Sequence, residues 1–236
     1  MIIDNIIEHM EKLENKLRND ATLSDEIRND SFIKFSFFIH LVQLGDEGGP
    51  FGGNQNFIQK IHFLDDEINR LILIVRRLRD TATLPLLRLQ NTKTQAYAEI
   101  DAESFFHTTY LILTQIARLN RHFFKGIKSF PSNSFDRQKK FFTKPDNINI
   151  DKQYSKYLNE RMYWYDAFRE YRTCITHYHP PVFIPDKIGL QLGIKIKKGQ
   201  GYNFLDIPEY IDETSNQLLE FIIFYNNHFS KKYKSK

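Results

Sequence analysis

Cysteine is almost absent from this chain, since Cys174 is the only one in 236 residues. A single cysteine cannot form an intramolecular disulfide, and it excludes a zinc site built from four cysteines. Such cysteine usage is typical of a protein in a reducing compartment. The sequence therefore predicts a cytoplasmic protein.

Long hydrophobic runs are also missing. The longest aliphatic run, Leu71–Val75, is far shorter than the roughly 20 apolar residues that cross a bilayer. The first residues, Met1–Asn5, lack the basic region and the apolar stretch of a signal peptide. We therefore expect no membrane span.

The net charge of +4 is modest, but it is unevenly distributed. Residues 118–144 contain eight lysines or arginines and one aspartate, interleaved with six phenylalanines. Such a stretch could contact a phosphate backbone and stack bases on its rings. Alternatively, it is a solvated connector whose phenylalanines belong to the core. The 21 phenylalanines spread along the chain favour this second interpretation.

Apolar periodicity predicts a mainly all-α fold, an up-and-down bundle of four core helices. Three- and four-residue steps place these helices at about 56–80, 101–124, 152–178 and from Pro208 onward. Asp101 is the predicted N-cap of the second helix. The third must end where Pro180 disfavours helical dihedrals at the residue before it.

Further elements are predicted outside the four core helices. Weaker helical patterns cover 2–19 and 30–44, and the stretch 81–98 is predicted to be a loop. Strict alternation over 188–196, with a turn at 199–201, predicts a short β-hairpin insertion. We expect an N-terminal helical extension, residues 1–54, packed on a core bundle of residues 55–236.

One segment combines a charged side chain with an apolar helix face. Apolar residues recur at helical steps along the third predicted helix, and Arg172 falls on their stripe. Burying an unpaired charge is costly, so this guanidinium needs a carboxylate, a backbone carbonyl or an anionic ligand. His177 follows five positions later, and imidazole titrates near neutral pH. Together they indicate phosphate chemistry.

The motif also resembles that of a known family. Arg172, four intervening residues and His177 near the end of the penultimate core helix are similar to the Arg, four to six residues, His pattern of the HEPN superfamily. The resemblance covers roughly residues 55–233. Many members have Asn, Asp or His directly after the arginine, whereas this chain has Thr173.

The resemblance implies a metal-independent endoribonuclease without a cofactor. In that reaction the 2′-hydroxyl attacks the adjacent phosphorus, leaving a cyclic phosphate and a free 5′-hydroxyl. Arg172 would hold the phosphate, His177 would act as general acid or base, and Thr173 and His179 would contact the substrate. Because HEPN ribonucleases usually face the motifs of two subunits across one cleft, a homodimer acting on RNA is expected. The family also implies a role as a prokaryotic toxin or antiviral-defence effector.

Other interpretations of the motif stay open. The chain could be a non-catalytic HEPN module that binds RNA, a nucleotide or a nucleotidyltransferase-type partner, or Arg172 could be structural. A metal site of Cys174, His177 and His179 lacks an obvious fourth ligand, so we predict no metal. Helical geometry alone would favour His179 over His177, but Pro180 disfavours helical dihedrals there, which makes His177 the predicted acid or base.

The second predicted helix offers further polar candidates. His107 could approach the motif and orient a ligand, although a lone histidine on such a helix is more often a core group. Asp101 and Glu103 could pair with Arg172 across the bundle, although helix capping alone would explain both.

Overall fold

The computed structural model describes residues 1–19, 35–45, 49–177, 182–186, 189–195 and 202–234. Within these ranges the chain forms ten helices: α1 Ile2–Arg18, α2 Ile39–Gly45, α3 Gln55–Ala82, α4 Leu86–Leu89, α5 Thr92–Phe123, α6 Phe135–Phe142, α7 Pro145–Ile148, α8 Lys152–Glu160, α9 Trp164–His177 and α10 Ile207–Lys234. Three strands precede the last helix: β1 Val182–Asp186, β2 Gly189–Lys195 and β3 Tyr202–Asp206. The fold is mainly all-α, as predicted. None of the helices described is long and apolar enough to cross a membrane.

Helices α3 and α5 share the most extensive helix–helix contact of the fold. The alternating four- and three-residue spacing along α3 buries its apolar stripe, including Phe57 and Leu64, completely. Asn54 caps α3 by accepting a hydrogen bond of 3.1 Å from the backbone N–H of Phe57. Asn91 caps α5 in the same way, at 2.9 Å from the N–H two residues on. These two helices form the framework of the groove described below.

The start of α5 corrects a prediction. The helix begins at Thr92 and not at Asp101, and α4 also lies within the stretch 81–98 that was predicted as loop. The early turns of α5 are difficult to recognise because Tyr97 and Ile100 are more than half exposed, so no buried stripe marks them. Asp101 is an interior residue of the helix and forms an ion pair with Arg77 of α3.

The third predicted core helix is interrupted. Instead of one helix over 152–178, the chain forms α8 and α9 with a break at 161–163. Asp151 caps α8 by accepting a hydrogen bond of 3.0 Å from the N–H of Tyr154. Met162, within the break, is fully buried, so the connection lies against the core. The break contains neither glycine nor proline, and the apolar spacing therefore gave no sign of it.

The last helix, α10, contacts α1, α2, α3, α5 and α9. A buried polar network joins it to its neighbours. The Tyr225 hydroxyl donates to Oδ1 of Asn120 at 2.7 Å, and Nδ2 of Asn120 donates to Gln138 at 2.7 Å and to the Tyr154 hydroxyl at 3.1 Å. These bonds connect α10 with α5, α6 and α8, and they satisfy side chains that are shielded from water.

The N-terminal residues share the same core. Helix α1 confirms the pattern seen over 2–19. Of the helix predicted over 30–44, residues 30–34 lie outside the described residues, residues 35–38 are not helical, and α2 begins only at Ile39. Both helices contact α3 and α10. Arg79 of α3 bonds Asp4 of α1 and Asp212 of α10, each at 2.7 Å. The boundary at residue 54 between extension and bundle stays a prediction.

The predicted hairpin is part of a three-stranded antiparallel sheet of order β1-β2-β3. Val182 pairs with Gly193 between β1 and β2, and Leu192 pairs with Leu205 between β2 and β3. The central strand covers most of the predicted 188–196, and the predicted turn at 199–201 lies outside the described residues. Strand β1 was not predicted. It contains Pro185, which is tolerated there because β1 lies at the edge of the sheet.

Candidate functional site

Arg172 of α9 is half-buried and lies against α5. Its guanidinium carbon stands 4.0 Å from the centre of the Tyr110 ring, a cation–π contact. Its Nε is buried and has no hydrogen-bond partner among the described residues. The apolar stripe correctly placed this arginine on an inward-facing side of its helix. The partner it meets there is an aromatic ring, which leaves the buried Nε–H without an acceptor among the described residues.

A groove of about 750 Å³ opens beside this arginine, between α3 and α5. Glu67, Arg70 and Arg77 line it from α3, and Glu103, His107 and Tyr110 line it from α5. A groove of this size can hold a nucleotide or a short segment of a polymer. Periodicity alone could not identify the α3 residues, because it does not specify which turns of two helices lie opposite each other.

The other two arginines of the groove already have carboxylate partners. Arg70 pairs with Glu67 at 3.2 Å, and Arg77 pairs with Asp101. Burial raises the pKa of Glu67 and also that of Asp101, against the opposing charge of each arginine. Within the described part of the chain, no carboxylate lies within 4.0 Å of Arg172. Arg172 is therefore the guanidinium of this groove that an anionic ligand can engage without displacing an ion pair.

The structure does not bring His177 into the groove. His177 is the exposed last residue of α9 and is not among the residues that line the groove. Five residues of helix rotate its direction by about 140° from that of Arg172. His179 lies outside the described residues, so its predicted substrate contact stays a prediction.

Thr173 and Cys174 do not line the groove either. The Thr173 hydroxyl donates to the backbone carbonyl of Arg169 at 2.8 Å, one turn back in the same helix. Cys174 is buried and free. Among the described residues no three histidine, cysteine or acidic side chains gather in a way that could hold a metal ion.

Two polar residues of α5 that the sequence marked do reach the groove. His107 and Glu103 both line it together with Arg172, whereas Asp101 is used by Arg77. His122, near the end of the same helix, packs against Phe57, and burial together with nearby Lys60 lowers its pKa.

The phenylalanines of the basic stretch 118–144 are core residues. Five of the six are at most 6% exposed, and Phe130 packs against them: Phe123, Phe124, Phe135, Phe141 and Phe142. Rings buried in this way cannot stack on bases, so the stacking part of that interpretation was wrong, while contact of the cations with phosphates stays a prediction. Some of its cations also have partners, since Lys140 bonds Asp136 and Lys139 bonds Asp166. The second interpretation is confirmed in placing the phenylalanines in the core, but the stretch is not only a connector, because it holds the end of α5 and all of α6.

Comparison of the chain with protein-family models, with curated proteins and with solved structures finds no match. The geometry of the groove and the resemblance of the Arg172 motif are therefore the features that bear on function.

Proposed function

We propose that this protein is a metal-independent endoribonuclease of HEPN type that binds a phosphate of single-stranded RNA on Arg172. The observation behind the proposal is the environment of that side chain. Arg172 is partly desolvated on Tyr110, lines an open groove, and has no carboxylate partner among the described residues. A guanidinium in such a place gains charge-assisted hydrogen bonds from a phosphate at little further desolvation cost.

The reaction needs few groups. The 2′-oxygen attacks the phosphorus as it loses its proton to a base, the bond from phosphorus to the 5′-oxygen breaks, and an acid protonates the leaving oxygen. Arg172 would stabilise the negative charge that grows on the phosphoryl oxygens in the transition state. No metal-activated water is required, because the nucleophile is the RNA's own 2′-hydroxyl.

The family resemblance assigns proton transfer to His177 and a shared cleft to two subunits. The exposed position of His177 at the end of α9 is compatible with this role, because a second copy of the chain can reach it there. A homodimer, cytoplasmic action on RNA and a role as a toxin or antiviral-defence effector belong to the same proposal.

The test is cleavage of single-stranded RNA in the presence of a chelator. Arg172→Ala should lower the rate by roughly two to three orders of magnitude. The matched control is Arg169→Ala, because Arg169 lies on the same helix, is half exposed and bonds Asp136 outside the groove. Equal losses in the two variants would mean that the effect is general charge or stability and not phosphate binding.

A non-catalytic module is the second candidate. Two observations favour it: His177 does not line the groove, and the Thr173 hydroxyl is bonded to its own helix. Such a module would bind RNA, a nucleotide or a nucleotidyltransferase-type partner through Arg172. Intact RNA with the wild-type protein, together with binding that Arg172→Ala abolishes, would establish this candidate in place of the nuclease.

A further inference from the structure

One face of α5 places three polar groups at successive turns along the groove. Glu103 and His107 are four residues apart, and Tyr110 follows His107 by three, spacings that make side chains neighbours on one helix face. All three line the groove. His107 is exposed to solvent and Glu103 is partly exposed. A ligand in the groove can therefore reach an imidazole and a carboxylate from the same helix.

The position of Arg172 adds a guanidinium to this face. Its guanidinium rests at 4.0 Å on the ring of Tyr110, which lies three residues along α5 from His107 and seven from Glu103. The groove thus collects, from α5 and α9 of one protomer, an anion-binding group and two groups that can transfer protons. The family motif does not predict this arrangement, because its histidine, His177, does not line the groove.

Glu67, the other acidic residue of the groove, is not available to accept a proton from a ligand. Glu67 is 3% exposed and is engaged by Arg70 at 3.2 Å. Glu103, by contrast, has no ion pair within 4.0 Å among the described residues. Because Arg70 and Arg77 are paired with Glu67 and Asp101, Arg172 is the arginine of the groove that attracts an anion.

We propose that His107 and Glu103 are the proton donor and acceptor for the phosphate that Arg172 holds, so that the reaction is completed within one protomer. This inference rests on the proposed function and changes its assignment of the acid and base. The Glu103 carboxylate accepts the proton of the 2′-hydroxyl while the 2′-oxygen bonds to phosphorus. The bond from phosphorus to the 5′-oxygen breaks, and the His107 imidazolium gives its proton to that oxygen. No oxidant, metal or co-reactant enters the balance.

The experiment compares RNA cleavage by His107→Ala, Glu103→Gln and His177→Ala with that of the wild-type protein. His62→Ala is the matched control, because His62 is exposed on α3 and does not line the groove. We expect His107→Ala and Glu103→Gln each to lose roughly two to four orders of magnitude in kcat, the usual contribution of a general acid or base, and His62→Ala to match the wild type. All variants should melt near the wild-type temperature, since both groove residues are at the surface.

The pH profile separates proton transfer from a structural role. Glu103→Gln should remove the fall in rate on the acid side of the profile, and replacement of His107 should remove the fall on the alkaline side. A merely structural role would lower the rate at every pH by the same factor. Wild-type rates in His107→Ala, with the loss confined to His177→Ala, would overturn the inference and leave the proposed nuclease standing.

A second measurement covers the case in which the wild-type protein leaves RNA intact and the nuclease proposal fails. The imidazole resonances are followed by NMR during titration with an oligodeoxynucleotide, which has no 2′-hydroxyl. A shift of the His107 resonance in the wild type that is lost in Arg172→Ala would support the shared anion site. An unmoved His107 resonance would overturn it.

Discussion

Asp151 offers a stability prediction that can be worked out from its contacts. Its carboxylate is 6% exposed and accepts from Lys232 at 2.6 Å, while Nε2 of His228 lies 2.9 Å away. It also caps α8 through the N–H of Tyr154. Burial by itself raises the pKa of Asp151, but the bonds from His228, Lys232 and that N–H outweigh it and lower the pKa to about 2. The cluster therefore ties the end of α10 to the start of α8.

The perturbation is Asp151→Asn, which keeps a good N-cap and removes the charge. A drop in pKa from 3.8 to about 2 corresponds to about 2 kcal/mol of folding free energy. Because the pKa is lower in the folded state, this contribution is complete above the unfolded pKa and is lost as pH falls through the folded pKa. The difference between wild type and variant should be about 2 kcal/mol at pH 7 and roughly half of that near pH 3.

Urea unfolding across this pH range measures the difference directly. Asp136→Asn is the control, since Asp136 bonds the more exposed Lys140 and Arg169 and should contribute at most about 1 kcal/mol. A difference for Asp151→Asn below about 0.5 kcal/mol at pH 7, or one that does not shrink on acidification, would refute the reasoning.

Three further predictions concern the core, a helix end and association. Asn120→Ala should lower the free energy of unfolding by about 2–3 kcal/mol, because it leaves the buried Tyr225 hydroxyl and Gln138 without their partner; urea unfolding measures this. Asn91→Ala should cost about 1 kcal/mol in the same assay if α5 begins at Thr92, and nothing if it begins later. Light scattering should show a dimer at micromolar concentration, and a monomer would exclude the shared cleft of two subunits.

Much of the fold could be predicted from the sequence because, in most helices, the apolar residues at helical spacing are also the buried ones. The stripe of α3 was recognisable from end to end, since nearly every apolar residue at its three- and four-residue steps is buried. The beginning of α5 was not, because Tyr97 and Ile100 are exposed apolar residues that break the stripe. Strand β1 and the break between α8 and α9 depend on tertiary contacts that a local pattern does not contain.

The candidate site, like the fold, could be predicted only in part. Helical spacing placed Arg172 on a partly buried face, but it could not supply Tyr110, because the register between α9 and α5 is set by the whole core. The approach of His107 to Arg172 was an open possibility, and the packing of α9 on α5 makes it a shared groove. The motif therefore identified Arg172, whereas the packing of the neighbouring helices determines which side chains lie near it.

End-group analysis of RNA incubated with the protein and a chelator tests the central claim most directly. We expect the wild-type protein to leave 2′,3′-cyclic phosphate and 5′-hydroxyl ends, and Arg172→Ala, purified in the same way, to leave almost none in the same time. The parallel purification also controls for contaminating nucleases. Intact RNA with the wild-type protein, or the same cyclic ends at the same rate with Arg172→Ala, would contradict the account.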